Sequence, residues 1–294
     1  MEIVLTGSLG HIGKPLTKIL VQRGYSVTVI SSNADRKKEI EIIGASAAIG
    51  SVEDVDFLTQ AFKGADAVFC MVPPNFNQPD QVAYYEKTGN NYAIAIQRSG
   101  VKRVIDLSSY GAHLASGTGI ITGSYKVENI LNAVSGLSIT HIRPGYFYYN
   151  LFSFTKMIKQ AGFMGAVYGD ADILPLVSPN DIADAIAEEI TIYNSGKVRY
   201  VVSDEKTCNE VAQALGVAVG IPGLQWKTLP IEHVMKSLLE RGTSENAAKS
   251  LVELGLAIHS GILREDYEQN KPDFLGKEKL TDFAREFAAV YNQQ

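Results

Sequence analysis

Apolar residues follow two periods along the first half of the chain, and the two periods alternate. Short apolar runs predict strands, and segments in which apolar residues recur every third or fourth position predict amphipathic helices. The first predicted strand begins at Glu2. The others cover 25–30, 46–49, 67–72, 103–107 and 138–143. The first predicted helix has Pro15 in its first turn and is closed by Gly24, and the others cover 35–43, 54–62, 81–99 and 125–134. This alternation is typical of an α/β fold with a doubly wound parallel sheet.

The pattern changes after Pro144. An aromatic run at 146–149 is followed by a predicted helix over 151–160. A further helix over 181–193 and a strand over 198–202 then indicate that the chain returns to the sheet. Aromatic runs of this kind are more often packing between lobes than a ligand wall, so both interpretations of 146–149 stay open.

Beyond Gly216 the pattern is mostly helical, with one isolated tryptophan, Trp226. We expect this part to cap the carboxyl ends of the strands, where ligands bind in open α/β sheets. The predicted domains are residues 1–150, with 173–215 returning to the sheet, and a smaller, mostly helical substrate-binding lobe made of 151–172 and 216–294.

The first predicted strand runs into a glycine turn that opens the first helix, with Gly7, Gly10 and Gly13 in the spacing G-x-x-G-x-x-G. Gly7 permits a sharp turn, Gly10 leaves room for a pyrophosphate beside backbone N–H groups, and Gly13 permits close packing of the helix on the sheet. The N-terminus of the helix favours an anion. The turn therefore predicts a dinucleotide site with His11 and Ile12 as further contacts, although we expect the side chain of His11 to face solvent.

The tip of the second predicted strand selects the dinucleotide, because an acidic residue there binds a free ribose hydroxyl and a basic residue binds a 2′-phosphate. The tip carries Ser31, Ser32 and Asn33, without a carboxylate, and Arg36 follows one helical turn later. NADP is therefore favoured as the cofactor. NAD stays open, because Arg36 and Lys37 also fit a solvated helix face.

The loops after the next three predicted strands lie at the same edge of the sheet, because the carboxyl ends of parallel strands meet there. Ser51 follows the third strand, Val72 and Pro73 end the fourth, and Ser108 follows the fifth. We predict that these residues contact the cofactor. Ordinary strand-to-helix connections are the alternative for each loop.

Composition and charge limit the classes of partner. The chain has 294 residues, of which 46% are hydrophobic, a net charge of -5 at pH 7, and no basic run longer than 36–38. A nucleic-acid partner is not expected without a basic stripe. No apolar run approaches the ~18 residues of a membrane span and no leader precedes Glu2, so we expect a cytoplasmic protein without a membrane partner. Cys70 and Cys208 are expected to be buried free thiols.

Several short motifs stand in order along much of the chain: Thr6-Gly7-x-x-Gly10-x-x-Gly13, Gly64-Ala65-Asp66-Ala67-Val68-Phe69, Gly100-Val101-Lys102-Arg103-Val104, Ser108-Ser109-x-Gly111-Ala112, Arg143-Pro144-x-x-Phe147-x-x-Asn150 and Asp181-Ile182-Ala183. Together they resemble the NmrA-like, atypical branch of the short-chain dehydrogenase/reductase superfamily. This resemblance implies a Rossmann domain that binds NAD(P) beside a small C-terminal lobe, as in quinone or azo-dye reductases and in redox-sensing regulators without turnover. The resemblance fades after about Val202.

The chain departs from the superfamily's catalytic pattern, in which a tyrosine precedes a lysine by four residues so that the lysine lowers the phenol pKa. Thr122 stands four residues before Lys126, and Tyr125 is adjacent to it. Adjacent residues of a helix do not face each other. Ser108 and Lys126 remain the candidate catalytic residues, with Lys126 also a candidate for binding a ribose hydroxyl or, alternatively, a surface lysine.

Hydride transfer to a quinone needs little from the protein, because the nicotinamide supplies the hydride and solvent supplies the proton. We therefore predict an NAD(P)H-dependent oxidoreductase acting on a small planar substrate, with Tyr146 and Phe147 as one wall of the slot. The alternative is a non-catalytic NAD(P)-sensing regulator. The histidines show no metal-ligand spacing, so no metal is predicted. A homodimer or a regulatory protein partner stays open.

Overall fold

The central sheet of the computed structural model has seven strands, in a chain described at residues 1–73, 75, 78–193 and 198–293. Every pairing in this sheet is parallel, and its order is β10-β6-β5-β4-β1-β2-β3. The predicted doubly wound parallel sheet, of the Rossmann type, is therefore confirmed. The strands are Glu2–Leu5 (β1), Ser26–Ser31 (β2), Ser46–Ile49 (β3), Ala67–Cys70 (β4), Arg103–Leu107 (β5), Ser138–Pro144 (β6) and Val198–Val201 (β10).

Helices cover both faces of this sheet and bury a separate hydrophobic core on each. Leu16 and Ile182 belong to one core, whereas Leu58, Tyr92 and Val127 belong to the other. Side-chain caps fix where several helices begin, because they satisfy N–H groups of the first turn. Asp54 and Asp80 accept bonds from Phe57 N and Ala83 N. The helices are Gly13–Gln22 (α1), Arg36–Ile42 (α2), Val55–Phe62 (α3), Gln81–Ser99 (α4), Ile121–Asn132 (α5) and Pro179–Glu189 (α7).

A third hydrophobic core lies in the C-terminal half and contains the fully buried Trp226, whose Nε1 donates to Tyr168 O at 3.0 Å. Two small sheets, which the sequence did not predict, contribute residues to this core. The elements are Tyr146–Phe147 (β7), Met164–Ala166 (β8), Ile173–Val177 (β9), Asp204–Thr207 (β11), Trp226–Thr228 (β12), Thr155–Ala161 (α6), Cys208–Ala218 (α8), Ile231–Glu240 (α9), Glu245–His259 (α10), Glu265–Gln269 (α11), Leu280–Gln293 (α12), and 3-10 helices at Tyr148–Phe154 and Ile262–Arg264.

The segment 173–215 contributes one strand, β10, to the central sheet. Strands β9 and β11 pair with each other in a three-stranded sheet with β7, whereas β8 pairs with β12. The domain boundaries expected from the sequence stay a prediction. Cys70 and Cys208 are buried and free, as expected. Among the described residues, no helix combines the length and apolar character that crossing a bilayer requires.

Strand β4 ends at Cys70, two residues earlier than its apolar pattern predicts. At Met71 the backbone bonds to side chains instead of to a neighbouring strand. Its N–H donates to Thr6 Oγ1 at 2.8 Å, and its carbonyl accepts from Tyr92 Oη at 2.6 Å. Val72 lies outside the strand, but its side chain is still buried, which is why the apolar pattern extends beyond Cys70.

Helix α5 begins at Ile121, earlier than the predicted start at 125. Thr122 and Gly123 are weak helix formers, so the local pattern hides this turn. The turn is helical because α4 and α5 pack closely: a Cβ on Gly123 would lie 2.7 Å from Tyr85 Cβ. Tertiary packing therefore decides the start of this helix.

The glycines of the first turn have different structural roles. Gly7 has φ +89°, the left-handed conformation that a sharp turn requires. A Cβ on Gly13 would lie 2.0 Å from Ser8 O, so Gly13 permits contact between the helix and the turn rather than the predicted contact with the sheet. A Cβ on Gly10 would meet no protein atom closer than Gly7 O at 3.5 Å, an ordinary contact distance.

We expect Gly13→Ala to lower the free energy of unfolding by about 1–3 kcal/mol, because the added methyl group would overlap a backbone oxygen. Gly10→Ala is the matched control and is expected to change stability by less than about 0.5 kcal/mol. Urea unfolding followed by circular dichroism measures both. Equal losses in the two variants would contradict this account of the turn.

Candidate active site

A cavity of about 980 Å³ lies at the carboxyl ends of the central strands and extends into the C-terminal half of the chain. Residues that follow β1, β4, β5 and β6 line it, together with side chains of α9 and α10. The predicted contacts that line it are Gly7, Gly10, His11, Ile12, Gly13, Val72, Pro73, Ser108, Tyr146 and Phe147. Those that the structure places outside its described lining are Ser31, Ser32, Asn33, Arg36, Ser51 and Lys126.

The glycine turn presents bare backbone to this cavity. Gly10 is exposed, and α1 begins after Ile12 without a side-chain cap or an acidic residue in its first turn, as far as the described residues show. The first N–H groups of a helix without such partners attract anions. A Cβ on Gly10 would meet no protein atom closer than 3.5 Å, so the backbone of the turn is open to the cavity at this position.

Ser31 ends β2 directly beside the turn, and Ser32 and Asn33 follow it. Ser8 N donates to Ile30 O at 3.0 Å, and the hydroxyl of Ser8 donates to Ser31 Oγ at 3.0 Å. These bonds hold the turn against the tip of β2. The tip is open at its outer side, where Ser32 and Asn33 are exposed.

Two basic side chains pair with Glu39, on the helix that follows this tip. Glu39 lies 2.9 Å from Lys14 Nζ and 2.6 Å from Arg36 Nη1, and these two cations, Lys14 first, lower the pKa of Glu39. Ser51, the predicted contact after β3, is exposed, and its Oγ accepts from Glu53 N at 3.1 Å. The roles of Arg36 and Ser51 toward a cofactor stay predictions.

An aromatic stack joins the glycine turn to the segment after β6. The ring of His11 stacks on Tyr149 with centroids 4.5 Å apart, and Tyr149 stacks on Phe147 at 4.9 Å. His11 is exposed, as expected, but its ring is also fixed by this stacking. Burial raises the pKa of Tyr149 to about 12, so its phenol keeps its proton at neutral pH. The stack forms a flat wall beside the turn.

Tyr146 extends the aromatic lining deeper into the molecule. Its hydroxyl lies 3.1 Å from the hydroxyl of Tyr168, and burial raises the pKa of both phenols. Tyr85, on α4, also lines the cavity, and burial raises its pKa to about 12. The sequence did not single out Tyr85 or Tyr168, because each reaches the cavity through long-range packing that leaves no local signal.

Ser108 lines the cavity, but its hydroxyl proton is committed to a buried carboxylate. Ser108 Oγ donates to Glu128 Oε1 at 2.5 Å, and Glu128 receives a two-point ion pair from Arg143, with distances of 2.9 Å from Nε and 2.6 Å from Nη2. Arg143 continues to Asp266 at 2.8 Å. Ser108 is therefore oriented as a hydrogen-bond acceptor toward the cavity.

Lys126 is not brought together with Ser108. Its Nζ lies 2.5 Å from Glu86 Oε2 across the α4–α5 contact, and its side chain is 38% exposed. Although Lys126 and Glu128 both lie on α5, they are two residues apart, so they point to different sides of the helix. A catalytic or ribose-binding role of Lys126 stays a prediction.

His141 is structural. Its Nδ1 lies 2.8 Å from Asp106 Oδ2, and both side chains are buried between neighbouring strands β5 and β6. Burial raises the pKa of the Asp106 carboxyl above its usual value, and the hydrogen bond from His141 offsets only part of this rise. In the part of the chain that the structure describes, no group of His, Cys, Asp and Glu side chains is arranged to hold a metal ion.

The model of the NmrA-like family matches residues 1–260. The NAD(P)H azoreductase of Xenophilus azovorans is 25% identical over 255 residues, which cover 86% of this chain and 85% of that protein.

Two solved structures share the fold. An NADPH-dependent quinone oxidoreductase of Escherichia coli, in complex with NADPH, has a TM-score of 0.82 at 20% identity and covers 99% of this chain and 100% of its own. NmrA, a negative transcriptional regulator in complex with NADP, has a TM-score of 0.69 at 16% identity, with 98% and 91% covered. At these identities the likeness is one of fold alone.

The Glu128–Arg143 pair generates a stability prediction. We expect Glu128→Ala to lower the free energy of unfolding by about 3–5 kcal/mol, because it leaves a buried guanidinium without its main partner. Glu86→Ala removes the carboxylate of the exposed Lys126 pair and is expected to cost at most about 1 kcal/mol. Urea unfolding of both variants is the measurement. If Glu86→Ala lowered the free energy of unfolding as much as Glu128→Ala does, the buried pair would not be the more stabilising of the two.

Proposed function

The chain belongs to the NmrA-like family, and we propose that it is an NAD(P)H-dependent oxidoreductase that passes a hydride to a small planar acceptor such as a quinone. The observation that carries this proposal is one continuous cavity, which joins a bare glycine turn to an aromatic and aliphatic slot. The first part suits a dinucleotide diphosphate, and the second suits an apolar acceptor. The azoreductase and quinone oxidoreductase relatives support the same class of reaction.

The residues present fit NADP as the cofactor. No protein atom fills the position that a Cβ on Gly10 would occupy, so a diphosphate can lie there beside the backbone. Ser31, Ser32, Asn33 and Arg36 would bind the 2′-phosphoribose, with Ser51 beside the adenine. Val72 and Pro73 would lie under the ribose, and Ser108 would accept a hydrogen bond near the reacting ring. The NADPH and NADP complexes of the two structural relatives support this cofactor.

When bound, reduced nicotinamide supplies the hydride. The chain's own contribution is to orient the acceptor and to exclude water. Phe147 and Tyr149 present a flat, stacked surface, and Ser108 is held by Glu128 in one orientation. Because the proton of Ser108 is committed to Glu128, protonation of the reduced acceptor falls to solvent in this proposal.

We assign residues 1–150 and 173–215 to cofactor binding, and 151–172 and 216–294 to the acceptor. The regulator NmrA, which shares the fold, supports the alternative of a cofactor sensor without turnover. The extent of the cavity favours the enzyme, because its lining continues from the glycine turn to α9 and α10, beyond the part assigned to the cofactor.

The enzyme assignment is tested by following NADPH oxidation with a panel of quinones. We expect steady turnover that depends on both NADPH and quinone concentration. Gly10→Val is the control, because a side chain in the diphosphate position is expected to weaken NADPH binding at least about tenfold. Tight NADPH binding without oxidation by any acceptor would favour the sensor instead.

The cofactor preference yields a separate expectation. Arg36→Ala is expected to raise the KM for NADPH about tenfold while leaving the KM for NADH unchanged, because the lost charge would contact only the 2′-phosphate. Lys38→Ala, on the same exposed helix, is the matched control and is expected to change neither value. Equal KM changes for the two cofactors would overturn the role of Arg36.

A further inference from the structure

One face of α9 lines the cavity without being buried by other parts of the described chain. The lining residues of this helix and its end are His233, Val234, Ser237, Leu238 and Arg241. Their spacing, with steps of one, three, one and three, places them on a single helix face. No residue of α9 within the described chain is fully buried. The face is therefore available to a molecule in the cavity.

Arg241 is the one charged side chain among the described residues that line this cavity. No described carboxylate lies within ion-pair distance of its guanidinium. Lys236, on the same helix but outside the lining, is placed near Glu240 at 3.8 Å instead. The cavity therefore carries one uncompensated positive charge and no lining carboxylate.

Many of the other residues that line the cavity are apolar. Phe154, Met157, Leu229, Leu251 and Leu254 line the same cavity. An apolar body bound among these side chains would gain from burial, but it would not use the guanidinium. Arginine recognises planar or tetrahedral oxyanions through two parallel hydrogen bonds. The combination of an apolar wall with a single free arginine matches an apolar molecule that carries one anionic group.

We propose that the acceptor has a planar apolar body with an anionic substituent, a carboxylate, sulfonate or phosphate, and that Arg241 binds this group. The inference rests on the proposed function and names its substrate class. Helix α9 packs against α10, and the proposed diphosphate site is the glycine turn that opens α1, so Arg241 remains available for the acceptor. Arg241 is a specificity-determining residue in this scheme.

The test compares 1,4-naphthoquinone-2-sulfonate with neutral 2-methyl-1,4-naphthoquinone as acceptors for NADPH. We expect the native chain to prefer the sulfonate, and Arg241→Ala to lower kcat/KM for the sulfonate about tenfold, mainly through KM, with less than a twofold change for the neutral quinone. Lys236→Ala is the matched control and is expected to change neither. Added salt is expected to weaken the sulfonate preference of the native chain, because the pair is partly exposed.

Equal effects of Arg241→Ala on both quinones, or none on the sulfonate, would overturn the inference while leaving the proposed function intact. Weaker NADPH binding in Arg241→Ala would assign the arginine to the cofactor and would also overturn it. If neither quinone is reduced, calorimetric binding of naphthalene-2-sulfonate separates the two proposals. Binding that requires Arg241 would then support the anion site without the oxidoreductase, and no binding would reject both.

Discussion

The hydrogen bonds that hold the glycine turn between three strand ends are the constraint on which the site depends. Thr6 N donates to Phe69 O, Thr6 Oγ1 accepts from Met71 N, and Ser8 N donates to Ile30 O. These bonds connect β1 to β4 on one side and to β2 on the other. Because the turn is fixed on both sides, Gly10 can stay bare without collapsing onto neighbouring atoms, and the first turn of α1 keeps one orientation toward the cavity.

The aromatic stack fixes the segment that follows β6 relative to the glycine turn. His11 belongs to the turn, whereas Tyr149 and Phe147 belong to the segment that follows β6. The contact sets the distance between the bare backbone of the glycine turn and the apolar slot. A second connection runs through the buried Glu128–Arg143 pair to Asp266 in α11, so the serine at the cavity and the C-terminal half share one polar network.

Local patterns predicted the sheet, most of the helices that flank it and the glycine turn, because each leaves its signal within a short window of sequence. The strand over Ser46–Ile49 and the helix over Gln81–Ser99 have the predicted bounds. The small sheets were missed because strands as short as Tyr146–Phe147 exist only through pairing with distant segments. Glu128 was missed for a similar reason, since its partner Ser108 is set by the fold.

Trp226 gives this molecule a built-in optical reporter. It is the single tryptophan of the chain, it is fully buried, and its ring lies 5.5 Å from that of Tyr168, which lines the cavity. All indole emission therefore originates from one dry environment beside the proposed acceptor slot. We therefore expect occupation of that slot to change a single spectroscopic signal through Tyr168, without any label attached to the protein.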